Sequence, residues 1–395
     1  MGPVTLPDAD WRRDPALHAV VAALSNGANR PRIVGGAVRD SLLGRAVVDV
    51  DLATPLRPED VMRRLKAAGL KAVPTGVDHG TVTAVAEGRP FEVTTLRRDV
   101  STDGRRATVS FSDDWREDAA RRDFTINALY ADPETGAITD YFGGLDDLAA
   151  QRLRFIGDPA ARIAEDHLRI LRYFRFLARF GRSELDTEAY GACKAAANSL
   201  KGLSRERVAD ELLKLLALAD PRFAVRAMLD GAIFAPILPE VTSADLLDRL
   251  IDREQAHDTP PYALRRLLAL LPAETTVAVD VAARLKLSRK QREAMRDRIL
   301  CKAILRPRHA AYAHGIEVAR DALLLYADDN ALEAALAAVT GWTPPRFPLK
   351  GGDLIARGLA PGPEVGRKLH AIQARWVEED FPGADRLDAL VAEQL

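Results

Sequence analysis

The stretch RIVGGAVRDSLLGRAVVDVDLAT, residues 32–54, packs two glycines, an Arg-Asp pair and an Asp-x-Asp into one short span. RIVGGAV reads as a β-rich lead-in to a helix, and DVDLA as a short strand. Small residues between a strand and a helix let backbone approach an anion, and the helix N-terminus adds free N–H groups and a favourable dipole. The spacing is not that of a Rossmann fingerprint or a P-loop, because GGAVRDSLLG lacks both G-x-G-x-x-G and GK[ST]. A bare Gly-Gly is more often a tight turn than a site, so the information lies further on. Asp49 and Asp51 flank Val50, and on a strand such a pair shares one face. Two neighbouring anions repel unless a cation joins them. An oxygen-only donor set favours Mg²⁺, which takes one or two carboxylates plus substrate phosphates. Alone, the motif reads better as a solvent-facing acid pair. With a glycine turn and Arg39 just upstream the balance reverses, toward phosphoryl transfer.

Working outward, 395 residues can bury several small cores, so more than one domain is expected. Charge interrupts the longest apolar runs, which leaves no membrane span. The N-terminal MGPVTLPDADWRRD has no basic-then-apolar signal pattern, and the expected location is the cytoplasm. Cys193 and Cys301 are too few for a disulfide framework or a four-thiolate zinc site. The net charge of −1 says little about partners, but the basic residues segregate. Arg162, Arg169, Arg172, Arg175, Arg179 and Arg182 face only Glu165 and Asp166 within their own segment. Arg97, Arg98, Arg105, Arg106, Arg121 and Arg122 form a looser second group.

The first 150 or so residues read as mixed α/β. PEDVMRRLKAAG is an amphipathic helix, and TVTAVAEGRPFEVTTLR a hairpin joined around Glu87-Gly88-Arg89-Pro90. The segment LRRDVSTDGRRATVSFSDDWREDA reads as a flexible charged loop. After Gly144 helical spacing takes over, with joints near ALADPRF and PRFPLKGGD. The expected architecture is an α/β head, a mixed sheet with helices, followed by an elongated all-α remainder. In GLAPGPEVGRKL a corner between two helices is the favoured reading, a phosphate-holding turn the other.

One helical stripe stands apart. Asp166, Arg169, Arg172 and Arg175 recur every three residues, each step lagging about 60° on a helix. The first three are therefore neighbours, and Arg175 drifts away. Leu168, Leu171 and Phe174 form a parallel apolar stripe that anchors the helix. A solvated face usually mixes signs, whereas this one is nearly all arginine.

Together these motifs resemble the class II tRNA nucleotidyltransferases, or CCA-adding enzymes, with the bacterial poly(A) polymerases as close relatives. VGGAVRDSLLGRAVVDVDLAT resembles the family's first motif, RRDFTINALY (residues 121–130) its second, EDHLRILRYFRF (165–176) its nucleotide-selecting motif, and LSRERVADELLKLL the helix that braces it. The likeness covers about the first 220 residues and returns faintly near LKGGDLIARGLAPGPEVGRKLH. It implies a nucleotidyltransferase head at 1–148, a helical neck at 149–220, a body at 221–345 and a tail at 346–395 that contacts RNA.

By the resemblance Asp49 and Asp51 hold divalent ions, expected to be Mg²⁺, while Gly36 and Arg39 contact the triphosphate and Arg122 reaches the nucleotide. Glu92, on a neighbouring strand of the expected hairpin, is a candidate third acid; an ordinary hairpin acid is the equal alternative. Asp123 and Asn127 either read the ribose or pin their segment, and Asp40 is a structural partner for Arg39. The family's reading makes Asp166 and Arg169 a substitute for a template. A carboxylate accepts from the exocyclic amine of cytosine or adenine, and a guanidinium donates to the ring acceptors beside it; good base contacts discriminate by about 1–3 kcal/mol. Arg172 and Arg175 support the base, orient Asp166 or hold phosphate. The charged loop would help the switch from cytidine to adenosine.

The expected activity is addition of CCA to the 3′ end of tRNA from CTP and ATP, with no obligate protein partner. A poly(A) polymerase, a CC-only or A-only enzyme, and an RNA-binding protein with a retired head are the alternatives.

Overall fold

The computed structural model describes residues 4–27, 30–103, 106–181, 184–302, 304 and 306–395. Arg105 and Arg182 of the two basic groups lie outside the described residues. The chain divides into two compact units, Met1–Pro239 and Glu240–Leu395.

The first unit opens with α1 (Pro15–Leu24), capped by Asp14, whose Oδ1 accepts from Ala16 N–H at 3.0 Å. Then follow β1 (Arg32–Val34), α2 (Gly36–Leu42), β2 (Asp51–Thr54), α3 (Pro58–Ala67), β3 (Lys71–Gly76), β4 (Thr81–Ala86) and β5 (Arg89–Thr95). β6 (Arg97–Asp103) pairs antiparallel with β7 (Arg106–Phe111) as a separate two-stranded sheet, and α4 (Trp115–Ala120) follows. The stretch expected to be a flexible loop is therefore a hairpin plus a short helix. Its polar residues pair through the backbone, and side-chain composition does not report that ladder. β8 (Leu129–Ala131) and β9 (Ile138–Asp140) complete a seven-stranded sheet of order β3-β4-β5-β2-β1-β8-β9. Only β2 and β5 run parallel; the other neighbours are antiparallel. β4 alternates half-buried and buried positions, as its TVTAVA sequence requires. The β4–β5 turn holds both Glu87 (φ 51°) and Gly88 (φ 76°) in the left-handed region, the geometry that matches strand twist in two-residue hairpins.

The central pair β1 and β2 separates two cores. Ile33 and Leu52 stand opposite one another, both with no exposure. Val34 and Ala53 belong to a second cluster with Leu96, Ala119, Tyr130 and Ile156. Strand alternation puts Asp51 on the face of Ala53, at the end of the ladder where Val34 is its partner.

After α5 (Gly144–Ala149) the unit is helical: α6 (Pro159–Glu165), α7 (Leu168–Phe180), α8 (Thr187–Ala195), α9 (Arg205–Leu216) and α10 (Arg222–Asp230). α7 buries Leu168, Leu171 and Phe174 as the apolar stripe predicts. It also buries Tyr173 and Phe176, which join Phe124 and Phe155 in an aromatic cluster. Burying each such ring stabilises by about 1.5–3 kcal/mol, which fixes α7 against the segment carrying Asp123.

The second unit contains ten helices among its described residues, from α11 (Asp245–Ala256) to α20 (Ala384–Ala392). Glu254 accepts from Arg265 and Arg266, and Asp321 from Arg265 and Arg298, all of them buried. GLAPGPEVGRKL turns the corner between Gly351–Ala356 and Pro363–Glu378. Among the described residues no helix is long and apolar enough to cross a membrane.

Candidate active site

At the strand-to-helix junction Gly35 has φ 69° and ψ −116°, a conformation that favours glycine. Its N–H donates to Leu129 O at 3.2 Å, which ties β1 to β8 and turns the chain into α2. Gly35 and Gly36 open onto a cleft of about 790 Å³ contained in the first unit. Arg39, Asp49, Asp51, Arg122, Asp166, Arg169, Arg172 and Arg175 all line it. Nine basic side chains face four acidic ones there, although the whole chain is nearly neutral. Such a balance suits a polyanion carrying triphosphate or phosphodiester groups.

Asp51 is the first residue of β2, and Asp49 lies two residues upstream, outside the ladder. The expectation that both sit on one strand is corrected. β1 contributes only three residues and ends at Val34, opposite Asp51, so the chain before Asp51 has no partner there. Both carboxylates nevertheless reach the cleft, and both are exposed. Crowding by surrounding protein pushes the Asp51 carboxyl up to about 6, Glu92 and Asp49 adding repulsion and Arg122 opposing it. Glu92 stands opposite Asp51 across the parallel β2–β5 ladder. It is not among the described residues that line the cleft. Among the described residues no three His, Cys, Asp or Glu side chains form a metal-holding group. Asp49 and Asp51 together offer two carboxylates, a donor set that suits a hard divalent ion whose other positions fall to phosphate and water.

Arg39 is buried, its Nε donating to Asp40 Oδ1 at 2.9 Å and its terminal nitrogen to Asn127 Oδ1. Burial lowers its pKa, with Asp40 opposing. Asp40 also accepts from Arg179 at 3.1 Å, a structural partner as expected. Asn127 donates to Asp123 Oδ1 at 2.9 Å, and Arg172 Nε to Asp123 Oδ2 at 2.8 Å. Burial works against the charge on Asp123, but Arg172, Asn127 and the Phe124 N–H outweigh it and hold the carboxyl below its usual range. Asp123 and Asn127 therefore pin the segment. Phe176 gathers Arg39, Arg172 and Arg175 around its ring at 5.4, 5.5 and 4.5 Å.

Arg122 is held from below. It donates to Asp118 at 3.1 Å and to Tyr130 Oη at 3.2 Å, while Tyr130 donates to Asp118 at 2.6 Å. Burial alone would raise the Asp118 carboxyl; Arg122, Arg121 and Tyr130 instead bring it down to about 2.

The stripe expected to be one helix breaks at its first member. Asp166 is extended, with φ −149° and ψ 104°, between α6 and α7. Its Oδ1 accepts from Leu168 N–H at 3.1 Å, an end-capping bond that competes with continued helix. Arg169 is the second residue of α7. It donates to Glu165 and to the carbonyls of Arg162 (2.8 Å) and Arg121 (3.2 Å). Arg175 Nε donates to the buried Glu211 at 2.6 Å. Sequence reasoning gave no site role to Asp118, Arg207, Glu211 or Lys214 individually, and placed Arg121 only within the second basic group. The unbalanced arginine row signalled that acidic partners must come from elsewhere, and Glu211 on α9 is one.

The description "Poly A polymerase head domain" belongs to a family matching residues 31–154, and "Probable RNA and SrmB- binding site of polymerase A" to one matching residues 184–245. The zebrafish (Danio rerio) protein "CCA tRNA nucleotidyltransferase 1, mitochondrial" is 35% identical over 89% of this chain and 84% of its own length. The "CCA-adding enzyme" of Streptococcus sanguinis is 34% identical over 96% of both chains. The crystal structure of the Bacillus stearothermophilus CCA-adding enzyme in complex with CTP superposes with a TM-score of 0.75 at 27% identity, over 96% of this chain and 98% of that one. With sequence identity running through both compact units and the fold matching nearly end to end, the chain belongs to the CCA-adding tRNA nucleotidyltransferase family.

Proposed function

We propose that this protein adds C, C and A to the 3′ end of tRNA from CTP and ATP without a nucleic-acid template. One observation carries the reading: a single cleft joins the Asp49–Asp51 pair to an Asp166–Arg169 pair held at the start of α7. The tRNA 3′-oxygen attacks the α-phosphorus of the bound nucleotide. A P–O bond forms, the α–β bridging P–O bond breaks, pyrophosphate departs and the hydroxyl proton is lost. Asp49 and Asp51 would hold Mg²⁺, with Glu92 supporting Asp51 from the next strand. When bound, divalent ions activate the hydroxyl and steady the leaving pyrophosphate. Gly36, Arg39 and Arg122 receive the triphosphate, with Asp118 and Tyr130 keeping Arg122 in place.

Asp166 accepts from the exocyclic amine of cytosine or adenine, and Arg169 donates to the adjoining ring acceptor; uracil and guanine present oxygen where the amine should be. Glu165 and two backbone carbonyls fix Arg169 in advance. Arg172 and Arg175 back the base from α7. In this reading residues 1–148 are the head, 149–220 the neck, and 221–345 and 346–395 the body and tail that grip tRNA, and the enzyme works in the cytoplasm.

The test is extension of tRNA transcripts ending before the first C, the second C and the A, with Mg²⁺ and each nucleotide singly and together. Three additions that then stop, CTP before ATP, are expected. Open-ended ATP addition to an unstructured RNA would show a poly(A) polymerase instead, a reading the name of the matching head family also carries.

A further inference from the structure

The second unit holds a cavity of about 370 Å³. Its walls come from the loop Asp258–Tyr262 and from α12 (Ala263–Leu268), α14 (Arg289–Lys302) and α16 (Ile316–Tyr326). Among the described residues three arginines line it: Arg265, Arg298 and Arg320. Arg265 donates to Glu254 Oε1 at 2.8 Å, to Asp321 and to Pro260 O at 2.7 Å. Arg298 donates to Asp321 Oδ2 at 2.7 Å and to Ala294 O at 2.8 Å. Arg320 is different. Its guanidinium makes no hydrogen bond or ion pair with any described residue, and its Nε is closed off from solvent. Glu317, one turn earlier on α16, is exposed and does not pair with it. We propose that this cavity binds a small organic oxyanion, a carboxylate or phosphate monoester on a flat apolar body, with Arg320 holding the anionic head. The cavity and the cleft belong to different units, and the proposal does not rest on the function assigned to the cleft.

The chemistry of the lining selects the ligand. A buried N–H without an acceptor costs free energy that an incoming acceptor returns. A guanidinium is planar and always charged, and its parallel N–H groups match two oxygens of a carboxylate or phosphate. All three nitrogens of Arg265 and of Arg298 are already in use, so that part falls to Arg320. The other two arginines share the buried Asp321 and form a fixed floor. Tyr262, Pro260, Pro261 and Leu324 supply apolar wall for the body of the ligand. Tyr262 is itself held by Arg298, whose guanidinium lies 4.9 Å from the ring centroid.

The cavity is also built in advance. Thr259 N–H donates to Glu254 O at 2.8 Å, Pro260 O accepts from Arg265, and consecutive prolines fix the backbone of the loop. A preformed site spends little on ordering its walls, and apolar walls with a few fixed polar groups are what small ligands occupy. Charge decides against a polyanion. Asp258 and Glu317 line the cavity where it meets solvent, so an RNA backbone laid across it faces two carboxylates. A single anionic head can pass between them to Arg320.

The experiment titrates the full-length protein calorimetrically with phenyl phosphate and with benzoate, using benzyl alcohol as the uncharged control. It compares wild type with Arg320→Gln, Arg320→Lys and Glu317→Gln, and measures the thermal midpoint of each without ligand. At least one of the two anions should bind wild type and benzyl alcohol should not; the tighter anion names the head group. Arg320→Gln should weaken that binding about tenfold or more, the loss of a charge-assisted hydrogen bond. Arg320→Lys should recover part of it, and Glu317→Gln should tighten it about twofold or more by removing a repelling charge. The midpoint of Arg320→Gln should equal or exceed that of wild type, since the substitution removes a buried donor that has no acceptor. Failure of both anions to bind wild type, or binding unchanged in Arg320→Gln, overturns the proposal and leaves the proposed nucleotide addition intact. A Kd for tRNA that rises in Arg320→Gln as much as the Kd for the anion also overturns it, and makes Arg320 an RNA contact instead.

Discussion

Asp118→Asn removes one charge from beneath the proposed nucleotide site. The Asp118 carboxylate is 1% exposed and accepts from Arg121 Nε at 2.8 Å, Arg122 at 3.1 Å and Tyr130 Oη at 2.6 Å. The fall of its pKa from 3.8 to about 2 corresponds to about 2 kcal/mol of charge-dependent stabilisation. Asparagine also leaves two guanidinium groups, 15% and 18% exposed, without their counter-charge. Breaking a buried pair from one side costs about 3–5 kcal/mol, and the partial exposure of the arginines places the expected loss near ~3 kcal/mol at pH 7. The pH dependence has a definite sign. A carboxyl depressed in the folded state lends stability above its unfolded pKa and loses it as pH falls through the folded value. The gap between wild type and Asp118→Asn should hold from pH 7 to pH 5, then shrink by about 1 kcal/mol by pH 3. Urea denaturation followed by tryptophan fluorescence at pH 7, 5 and 3 measures this, since Trp115 packs edge-on against Tyr130 at 5.4 Å. A gap that is absent at pH 7, or unchanged at pH 3, would refute the assignment of Asp118 as an ionised anchor.

Three further outcomes are expected. Asp51→Asn should slow nucleotide addition by about a thousandfold, ~4 kcal/mol in the barrier. It should leave the thermal midpoint equal or higher, because it relieves repulsion from Glu92 and Asp49; retained activity argues against a metal-binding role. Glu211→Gln frees Arg175 and the more distant Arg172 from a carboxylate that is 4% exposed. It should destabilise by about 3 kcal/mol in denaturant titration and raise KM for CTP, and an unchanged midpoint counts against Glu211 as a brace. Cys193 and Cys301 are both buried, and burial raises both thiols, Cys301 to about 11. Neither should react with a thiol-specific disulfide reagent until the chain unfolds, and rapid native labelling would contradict their burial.

The parts of the fold legible in the sequence were those whose side chains repeat with the period of the backbone. TVTAVA and RPFEVTT alternate, and α7 carries its apolar stripe at helical spacing, so both could be placed from residues alone. The β6–β7 hairpin could not, because its pairing is made by main-chain groups under polar side chains. The break at Asp166 was hidden for a related reason. The pattern of arginines runs on smoothly, while one side-chain oxygen bonded to Leu168 N–H decides that the helix begins after it. Of the site, the cleft-facing acids and arginines were readable as motifs. Their individual holders were not: Glu211 lies 36 residues from Arg175 and Arg207 lies 41 from Asp166, partnerships that exist only once the helices pack, while the local Asp118–Arg122 pair gains its weight from burial that the sequence does not display.

Every residue lining the cleft, from Gly35 to Lys214, belongs to the first compact unit. The roles proposed for Gly36, Arg39, the Asp49–Asp51 pair and the Asp166–Arg169 pair would thus be inherited as one module. Among the described residues, none beyond Pro239 lines the cleft. Divergence within such a lineage should be uneven, slower in the unit that carries the cleft than in the unit beyond Pro239.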